Sequence, residues 1–132
     1  MEISEFSNYF NNELDWLETE YVEYGCFKFK LIACIEKDKE DEEYYLGLYL
    51  GSICEQVDKY PISVKALFKL KNVHDKEKDL SLEFKYQFKE DKSRGFPNFI
   101  KMKELILERN EFYDESNNKL TIEVDFSVKH LN

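Results

Sequence analysis

The feature that most constrains the fold of this chain is the regular alternation of apolar and polar residues along three stretches of sequence. In LSLEFKYQF, residues 80–88, every second residue is apolar and the residues between them are polar or charged. The same period of two runs through ISVKALFKLKNV, which begins at Ile62, and LTIEVDFSVK, which begins at Leu120. Because successive side chains of a strand point to opposite faces, this period predicts strands with one buried and one solvated face. Such strands are typical of antiparallel sheets.

Two further stretches indicate strands that are covered more completely. CFKFKLIACIE, residues 26–36, and YYLGLYLGSIC, residues 44–54, each contain a part that is apolar on both faces. Polar segments separate the predicted strands. The charged runs Glu36–Glu43 and His74–Asp79 are predicted as solvated loops, and Asp114–Asn118 as a turn.

One segment has helical rather than strand periodicity. Within KMKELILER, Leu105 and Ile106 recur near Met102 at helical spacing, which predicts one or two turns of helix near residues 101–108. Residues 1–24 have the least clear pattern, and we expect NNELDWLETEYVEY, residues 11–24, to hold a loop and one short strand.

Together these patterns favour a single all-β domain that spans residues 1–132. Five or more strands, separated by short turn signals, predict an antiparallel β-sandwich. A half-open barrel is the alternative that periodicity alone leaves open. A chain of 132 residues, 42% of them hydrophobic, is large enough to bury a core of its own.

The charge balance argues against two classes of partner. Asp and Glu outnumber Lys and Arg by 28 to 19, which gives a formal net charge of -9. A charge of this sign repels phosphate backbones and anionic membrane surfaces, so we expect neither nucleic acid nor membrane as a partner. No apolar run approaches the length that spans a bilayer, and MEISEFSNYF lacks the basic and apolar parts of a signal peptide.

The cysteines and histidines do not indicate a metal site. There are three cysteines, and Cys34 and Cys54 lie within apolar strand-like runs. We therefore predict reduced core thiols in a cytoplasmic or nuclear protein. There is no CxxC pair, and His74 and His130 are distant from the cysteines along the chain. We expect no metal and no other cofactor.

The motifs of common catalytic sites are also absent from the sequence. There is no glycine-rich phosphate loop, no GxSxG and no HExxH, and the carboxylates show no recognisable acid–base pair. A cysteine nucleophile needs a histidine base nearby, and neither histidine is placed for that role. We expect a protein that is not an enzyme and has no catalytic residue.

One predicted connection between strands is unusually apolar. DKSRGFPNFI, residues 91–100, is expected to be a loop, yet it holds Phe96 and Phe99. Gly95 permits a tight turn or a close approach of two backbones, and Pro97 stiffens the exit. Either these aromatic residues plug the end of the sandwich, or they belong to a recognition patch.

The order of several motifs resembles that of the MATH (meprin and TRAF homology) domain family. RGFPNFIKMKELILERNEFYDESNNKLTIEVDFSV resembles the C-terminal half of that domain, with its Gly-Phe-x-x-Phe-Ile motif, short helical stretch and final strand. ISEFS, FKFKLIA and YYLGLYL are similar to motifs of the N-terminal half. The resemblance extends from Ile3 to Val128 and implies an antiparallel β-sandwich of seven or eight strands.

The resemblance also implies a function. MATH domains bind short extended peptides, often rich in Ser and Thr, which lie in a shallow groove along a strand edge. They occur in BTB-containing adaptors of cullin ligases, in ubiquitin-specific proteases and in TRAF signalling proteins. The implied role is a non-catalytic substrate-recognition element of the ubiquitin pathway. The alternatives are the targeting domain of a deubiquitinase and a TRAF-type scaffold, although residues 1–24 show no sustained heptads for a trimer.

By the same resemblance, the peptide groove is lined by residues at matching motif positions. The family often has Asp-Trp before Gly-Phe, whereas this chain has Ser93 and Arg94. Arg94 replaces a flat apolar wall with a planar cation, which can pair with acidic or phosphorylated peptides or stack on Tyr86. The alternative is that Arg94 is a solvated loop residue and the groove is degenerate. Phe68 and Tyr86 share their faces with core residues, so a core role for both stays open. The implied set is Tyr49, Phe68, Tyr86, Ser93, Arg94, Gly95 and Phe96.

Overall fold

The structure of the protein, a computed structural model, describes residues 2–4, 17–74, 76–106, 112–114 and 119–131. Within these residues there are ten strands, one short helix, α1 (Met102–Ile106), and two short 3₁₀ turns, Val57–Lys59 and Lys76–Lys78. The strands are β1 (Glu2–Ser4), β2 (Leu17–Glu18), β3 (Val22–Tyr24), β4 (Phe27–Lys37), β5 (Tyr44–Cys54), β6 (Ile62–Leu70), β7 (Leu80–Phe88), β8 (Lys92–Lys101), β9 (Tyr113–Asp114) and β10 (Lys119–His130).

The strands form two sheets in which every pairing is antiparallel. The first sheet has the order β1-β10-β6-β7, with β9 also paired to β10. The second has the order β2-β4-β5-β8, with β3 also paired to β4. The predicted antiparallel β-sandwich is therefore confirmed, with two separate sheets instead of a half-open barrel. Six strands are long, and four contain only two or three residues.

The core lies between the inward faces of the two sheets. In β6 every second residue has no exposed surface, as the alternation predicted. The same holds, within a few percent, for the inward faces of β4 and β5. The main core side chains are Ile62, Val64, Ala66, Phe68 and Leu70 of β6, Phe27, Phe29 and Leu31 of β4, and Leu46, Leu48 and Leu50 of β5.

The strand β7 follows the predicted alternation, but its apolar face is only partly covered. Phe88 is fully buried, whereas Leu82, Phe84 and Tyr86 are half-buried and the residues between them are exposed. Because β7 is the last strand of its sheet, its inward face lies at the side of the sandwich.

The stretch Asp91–Ile100 is not the loop that the sequence predicted. Residues Lys92–Lys101 form β8, which pairs with β5 and ends the second sheet. Gly95 and Pro97 are typical turn residues, which is why their sequence favours a loop. An edge strand tolerates both of them, because its outer side needs no hydrogen-bonding partner and its pairing can bulge. A register shift in the β5–β8 pairing occurs in this region.

Three other predictions need a smaller correction. Residues 11–24, which were predicted to hold one short strand, contain two in their described part, β2 and β3. The loop after β6 includes the turn Lys76–Lys78, and residues 115–118 of the predicted turn lie outside the described residues. The helix α1 begins at Met102 and ends at Ile106, and residues 107 and 108 again lie outside. Across the described part of the chain, no helix is long and apolar enough to cross a membrane.

Candidate functional site

The open edges of the two sheets meet on one side of the sandwich. β7 ends the first sheet, β8 ends the second, and the short turn 89–91 joins them. Within the described residues, no further strand pairs with the outer edge of either one. Side chains from both strands close the gap between the sheets, and we call this surface the β7–β8 seam. It consists of Phe84, Tyr86, Arg94 and Phe96, and Phe68 of β6 lies beneath Phe84 and Phe96.

Aromatic rings connect the two sides of the β7–β8 seam. The ring centroid of Phe96 lies 6.1 Å from that of Phe84 across the seam and 5.8 Å from that of Phe68 beneath it. Both contacts are edge-to-face, an arrangement that is favourable for aromatic pairs. Phe84 and Phe96 are half-buried, whereas Phe68 has no exposed surface. The seam is therefore apolar, packed from below and partly open to solvent.

A cation lies on this aromatic surface. The guanidinium carbon Cζ of Arg94 is 5.3 Å from the centroid of the Tyr86 ring, within the range of a cation–π interaction. A hydrogen bond with Arg94 is the main cause that lowers the pKa of the Tyr86 phenol. Both side chains are half-buried. Arg94 therefore stacks on Tyr86, which is one of the two roles expected for it, and is not merely a solvated loop residue.

The turn that joins β7 to β8 is fixed to the neighbouring strand. The backbone N–H of Cys54, at the end of β5, donates a hydrogen bond of 2.9 Å to the carboxylate of Asp91 in this turn. Asp91 immediately precedes β8, so this bond fixes the point where β8 begins. The spacing between β7 and β8 is therefore determined partly by a side chain outside both strands.

Gly95 allows β8 to approach β5 more closely than any other residue could. A Cβ atom at this position would lie 2.1 Å from the carbonyl oxygen of Leu48 and 2.7 Å from the Cα atom of Tyr49. Both are backbone atoms, which cannot move aside as the end of a side chain can. Of the two roles predicted for Gly95, the structure shows the close backbone approach and not the tight turn.

Alternation along β8 divides the predicted site residues between two surfaces. Arg94 and Phe96 lie opposite core-facing leucines of β5 and turn toward the seam. Ser93 and Gly95 lie on the other face of β8, and Tyr49 is the backbone partner of Gly95 on that outer face. The structure therefore brings Tyr86, Arg94 and Phe96 together in the seam, with Phe68 beneath it. It does not bring Tyr49, Ser93 or Gly95 into the same surface.

Tyr49 instead lies beside a buried thiol on the outer face of the second sheet. Burial raises the pKa of the Tyr49 phenol to about 12, with a further contribution from the neighbouring Cys34. Burial likewise raises the pKa of the Cys34 thiol to about 12, followed by the effect of Glu36. All three cysteines are free thiols, and Cys34 and Cys54 are buried as predicted. Neither Tyr49 nor Cys34 therefore ionises near neutral pH.

Sequence reasoning missed two residues of this site. Phe84 contacts both Phe68 and Phe96, and its signal was its position two residues before Tyr86 on the same face of β7. Asp91 had no comparable signal, because only the folded chain brings its carboxylate to the end of β5. Among the residues that the structure describes, no group of three or more His, Cys, Asp or Glu side chains could hold a metal ion.

Comparison with known families gives a match that covers almost the whole chain. The model of the MATH domain family matches residues 1–126. A comparison with curated proteins finds no match. The family match agrees with the two antiparallel sheets and with the order of motifs along the chain. The chain belongs to the MATH domain family, whose members are in general protein-interaction modules.

Proposed function

We propose that this protein is a non-catalytic module that binds short, extended peptide segments of other proteins at the β7–β8 seam. The observation that carries the proposal is the meeting of two open strand edges at one cluster of half-buried aromatic side chains. An open strand edge offers unpaired backbone N–H and C=O groups, and an extended peptide can pair with them as an added strand. The backbone bonds would supply affinity without regard to sequence.

Selectivity would come from the side chains of the seam. Tyr and Phe present large rigid surfaces at a small cost in conformational entropy, and such residues dominate the energy of many interfaces. In this proposal Tyr86, Phe84 and Phe96 contact side chains of the peptide directly. Phe68 supports them from below, because a side chain with no exposed surface reaches a ligand only if its neighbours move.

The remaining predicted residues have a different role in the proposal. Ser93, Gly95 and Tyr49 lie on the outer face of the second sheet. A peptide would contact them only if it continued around the edge of β8. Gly95 serves the site by allowing close pairing of β8 with β5, which keeps Arg94 and Phe96 in the seam.

We further propose that the protein selects substrates in the ubiquitin pathway of the cytoplasm or nucleus, in the manner of BTB-containing adaptors. The chemistry would then belong to a separate domain or subunit. A targeting domain of a ubiquitin-specific protease and a TRAF-type scaffold use the same kind of module, so they remain the alternatives. Affinity purification of the tagged protein from its own cells, followed by mass spectrometry, tests this. Co-purification of a cullin supports the adaptor role, and co-purification of a protease or signalling receptor supports one of the alternatives.

The binding proposal is tested by selecting peptides from a display library on the purified protein. We expect a short consensus to be enriched and its peptides to bind measurably in solution. The variants Tyr86→Ala and Phe96→Ala should lose this binding while circular dichroism shows that they remain folded. Tyr24→Ala is a matched control, because Tyr24 is 47% exposed on β3, at the opposite side of the second sheet. It should bind as the parent protein does.

Two results would contradict the binding proposal. One is a library in which no peptide is enriched by the folded protein. The other is a consensus that folded Tyr86→Ala and Phe96→Ala retain with unchanged affinity. In that second case the protein binds peptides elsewhere, and the aromatic residues of the seam serve only to close the side of the sandwich.

A further inference from the structure

We infer that the ligand of the β7–β8 seam carries an anionic side chain, a carboxylate or a phosphate, which Arg94 binds. This inference rests on the proposed peptide-binding function and adds the chemical class of one ligand position. Its basis is a guanidinium that lies on the aromatic surface of the seam and forms no ion pair with a carboxylate of the described residues.

The missing partner is notable because carboxylates are abundant in this protein. Acidic residues outnumber basic ones by 28 to 19, and lysines such as Lys69 and Lys71 form ion pairs at 2.7 Å. No carboxylate of the described residues forms an ion pair with Arg94. The neighbouring cation on β8, Lys92, does have a carboxylate near it, because its amino group lies 4.0 Å from the carboxylate of Glu90. Within the described part of the chain, the charge of Arg94 is therefore not compensated by an ion pair.

The position of Arg94 leaves much of its binding capacity available. A guanidinium has five N–H donors in a fixed plane, and stacking on an aromatic ring uses its face and not its edge. The stack on Tyr86 at 5.3 Å therefore holds the side chain in place. The interaction with Arg94 also lowers the pKa of the Tyr86 phenol, as expected for a cation held beside it. The remaining donors can form two parallel hydrogen bonds to a carboxylate or phosphate, the strongest arrangement that arginine offers.

The spacing of the seam residues also specifies a neighbouring ligand position. Arg94 and Phe96 are two residues apart on one face of β8, as Phe84 and Tyr86 are on β7. An extended ligand places its residues i and i+2 on one face, with the same spacing. A ligand that puts its anion on Arg94 therefore presents the side chain two residues away to Phe84 and Phe96. We expect this second side chain to be apolar.

The test combines library selection with substitutions of charge at one position. The parent protein should enrich Asp or Glu at one position of its consensus, with an apolar residue two positions away. Arg94→Gln should lose the acidic preference and keep the apolar one. Arg94→Glu should prefer Lys or Arg at the same position. Lys85→Gln is the matched control, because it removes a positive charge from the exposed face of β7 beside Tyr86. It should select as the parent does.

Matched synthetic peptides identify the source of the anion. Four versions of the selected peptide carry Asp, Asn, phosphoserine or Ser at the acidic position, and their affinities are measured by fluorescence polarisation. Replacing Asp by Asn should weaken binding to the parent about tenfold or more, since a charge-assisted pair is lost. It should change binding to Arg94→Gln by less than about twofold. A phosphoserine peptide that binds more tightly than the Asp peptide identifies phosphorylated partners, and the reverse order identifies acidic ones.

The outcomes separate this inference from the function on which it rests. If a consensus is enriched without an acidic position, or if Arg94→Gln selects the same acidic consensus, the inference is overturned and peptide binding stands. If no peptide is enriched, the proposed function falls and this inference falls with it. Enrichment of an acidic position that reverses in Arg94→Glu supports both.

Discussion

The hydroxyl of Tyr60 donates a hydrogen bond of 2.9 Å to Oδ1 of Asp91, the same oxygen that accepts the backbone N–H of Cys54. Tyr60 is buried, and its hydroxyl also lies 3.3 Å from the hydroxyl of Ser52. A single carboxylate oxygen therefore connects the turn between β7 and β8 to the end of β5 and to a buried aromatic residue that precedes β6. This connection determines where the two open edges begin.

Replacing Asp91 by Ala should destabilise the protein by about 1–3 kcal/mol, because a buried hydroxyl and a backbone N–H each lose an acceptor. Urea unfolding measures the change. Glu90→Ala is the neighbouring control, since the ion-pair contact of its carboxylate among the described residues is a long one, 4.0 Å to Lys92. It should change the free energy of unfolding by less than about 0.5 kcal/mol. Equal effects of the two substitutions would show that Asp91 does not anchor the turn.

Gly95→Ala should be strongly destabilising, because the new Cβ would lie 2.1 Å from a backbone oxygen of β5. We expect a loss of about 1–3 kcal/mol, or more if β8 separates from β5. Gly51→Ala on β5 is the control. Its Cβ would first meet the hydroxyl of Ser93 at 3.1 Å, which can rotate away, so the loss should stay below about 1 kcal/mol. Thermal unfolding of both variants would reveal whether the two glycines differ, and similar melting temperatures would contradict the prediction.

Arg94→Gln should raise the pKa of the Tyr86 phenol toward its ordinary value, since a hydrogen bond with Arg94 is the main cause of the lowered pKa. The pKa can be followed by phenolate absorbance during alkaline titration. Subtracting the titration of a Tyr86→Phe variant isolates the contribution of this one tyrosine. Lys85→Gln should leave the Tyr86 titration where it is. An unchanged titration in Arg94→Gln would mean that the two side chains do not stay together in solution.

Alkaline pH should destabilise the protein through Cys34. Its pKa is about 12 in the folded state, raised by burial from its ordinary value of 9.0. The unfolded state therefore releases this proton first, and the stabilising contribution of the neutral thiol is lost as pH rises from about 9 to about 12. As pH rises above about 9, the free energy of unfolding of a Cys34→Ala variant should fall less steeply than that of the parent protein. Tyr49 and Tyr60, which the variant retains, shift in the same direction with pKa values of about 12.

A control for the alkaline experiment must remove packing without removing a proton. Ile32 is buried on the same outer face of β4 as Cys34, and Ile32→Val deletes one methyl group. It should lower the stability by about 0.5–1.5 kcal/mol at every pH. If Cys34→Ala and the parent lose stability with the same pH profile, the thiol does not contribute to the alkaline transition.

The sequence predicted the strands whose environment is regular. Along β6, β7 and β10 the apolar residues recur with a period of two, and burial in the folded protein follows that period closely. The edge strand β8 was not predicted, because its sequence contains Gly95 and Pro97. Gly95 permits close pairing with β5 and Pro97 is tolerated at an open edge, but both residues are also typical of turns. The alternation of β5 already placed Tyr49 on the face opposite Leu48 and Leu50, although its motif position grouped it with the groove residues. Which residues of β8 face the seam depends on the register between β5 and β8, and that register includes a bulge.

The residues of the candidate site were also predicted only in part from the sequence. Motif positions identified Tyr86, Arg94 and Phe96, which do lie together, and the stack of Arg94 on Tyr86 was one of two expected roles. Whether Phe68 forms core or groove could not be decided from its pattern, since both roles require an apolar residue on the inward face. Its complete burial in the structure makes it the support beneath the seam.

The open edges of β7 and β8 also affect the tendency of the protein to associate with itself. A strand edge that can accept a peptide can accept the edge of another molecule, which is the first step of sheet-to-sheet aggregation. Pro97 lacks an N–H and so interrupts the ladder that β8 could offer. Exposed Lys85 and Lys92 place like charges where two such edges would have to meet, and the net charge of -9 repels the molecules as a whole. Salt screens the charges but does not affect the proline, so protection against self-pairing along β8 persists where electrostatic repulsion fails.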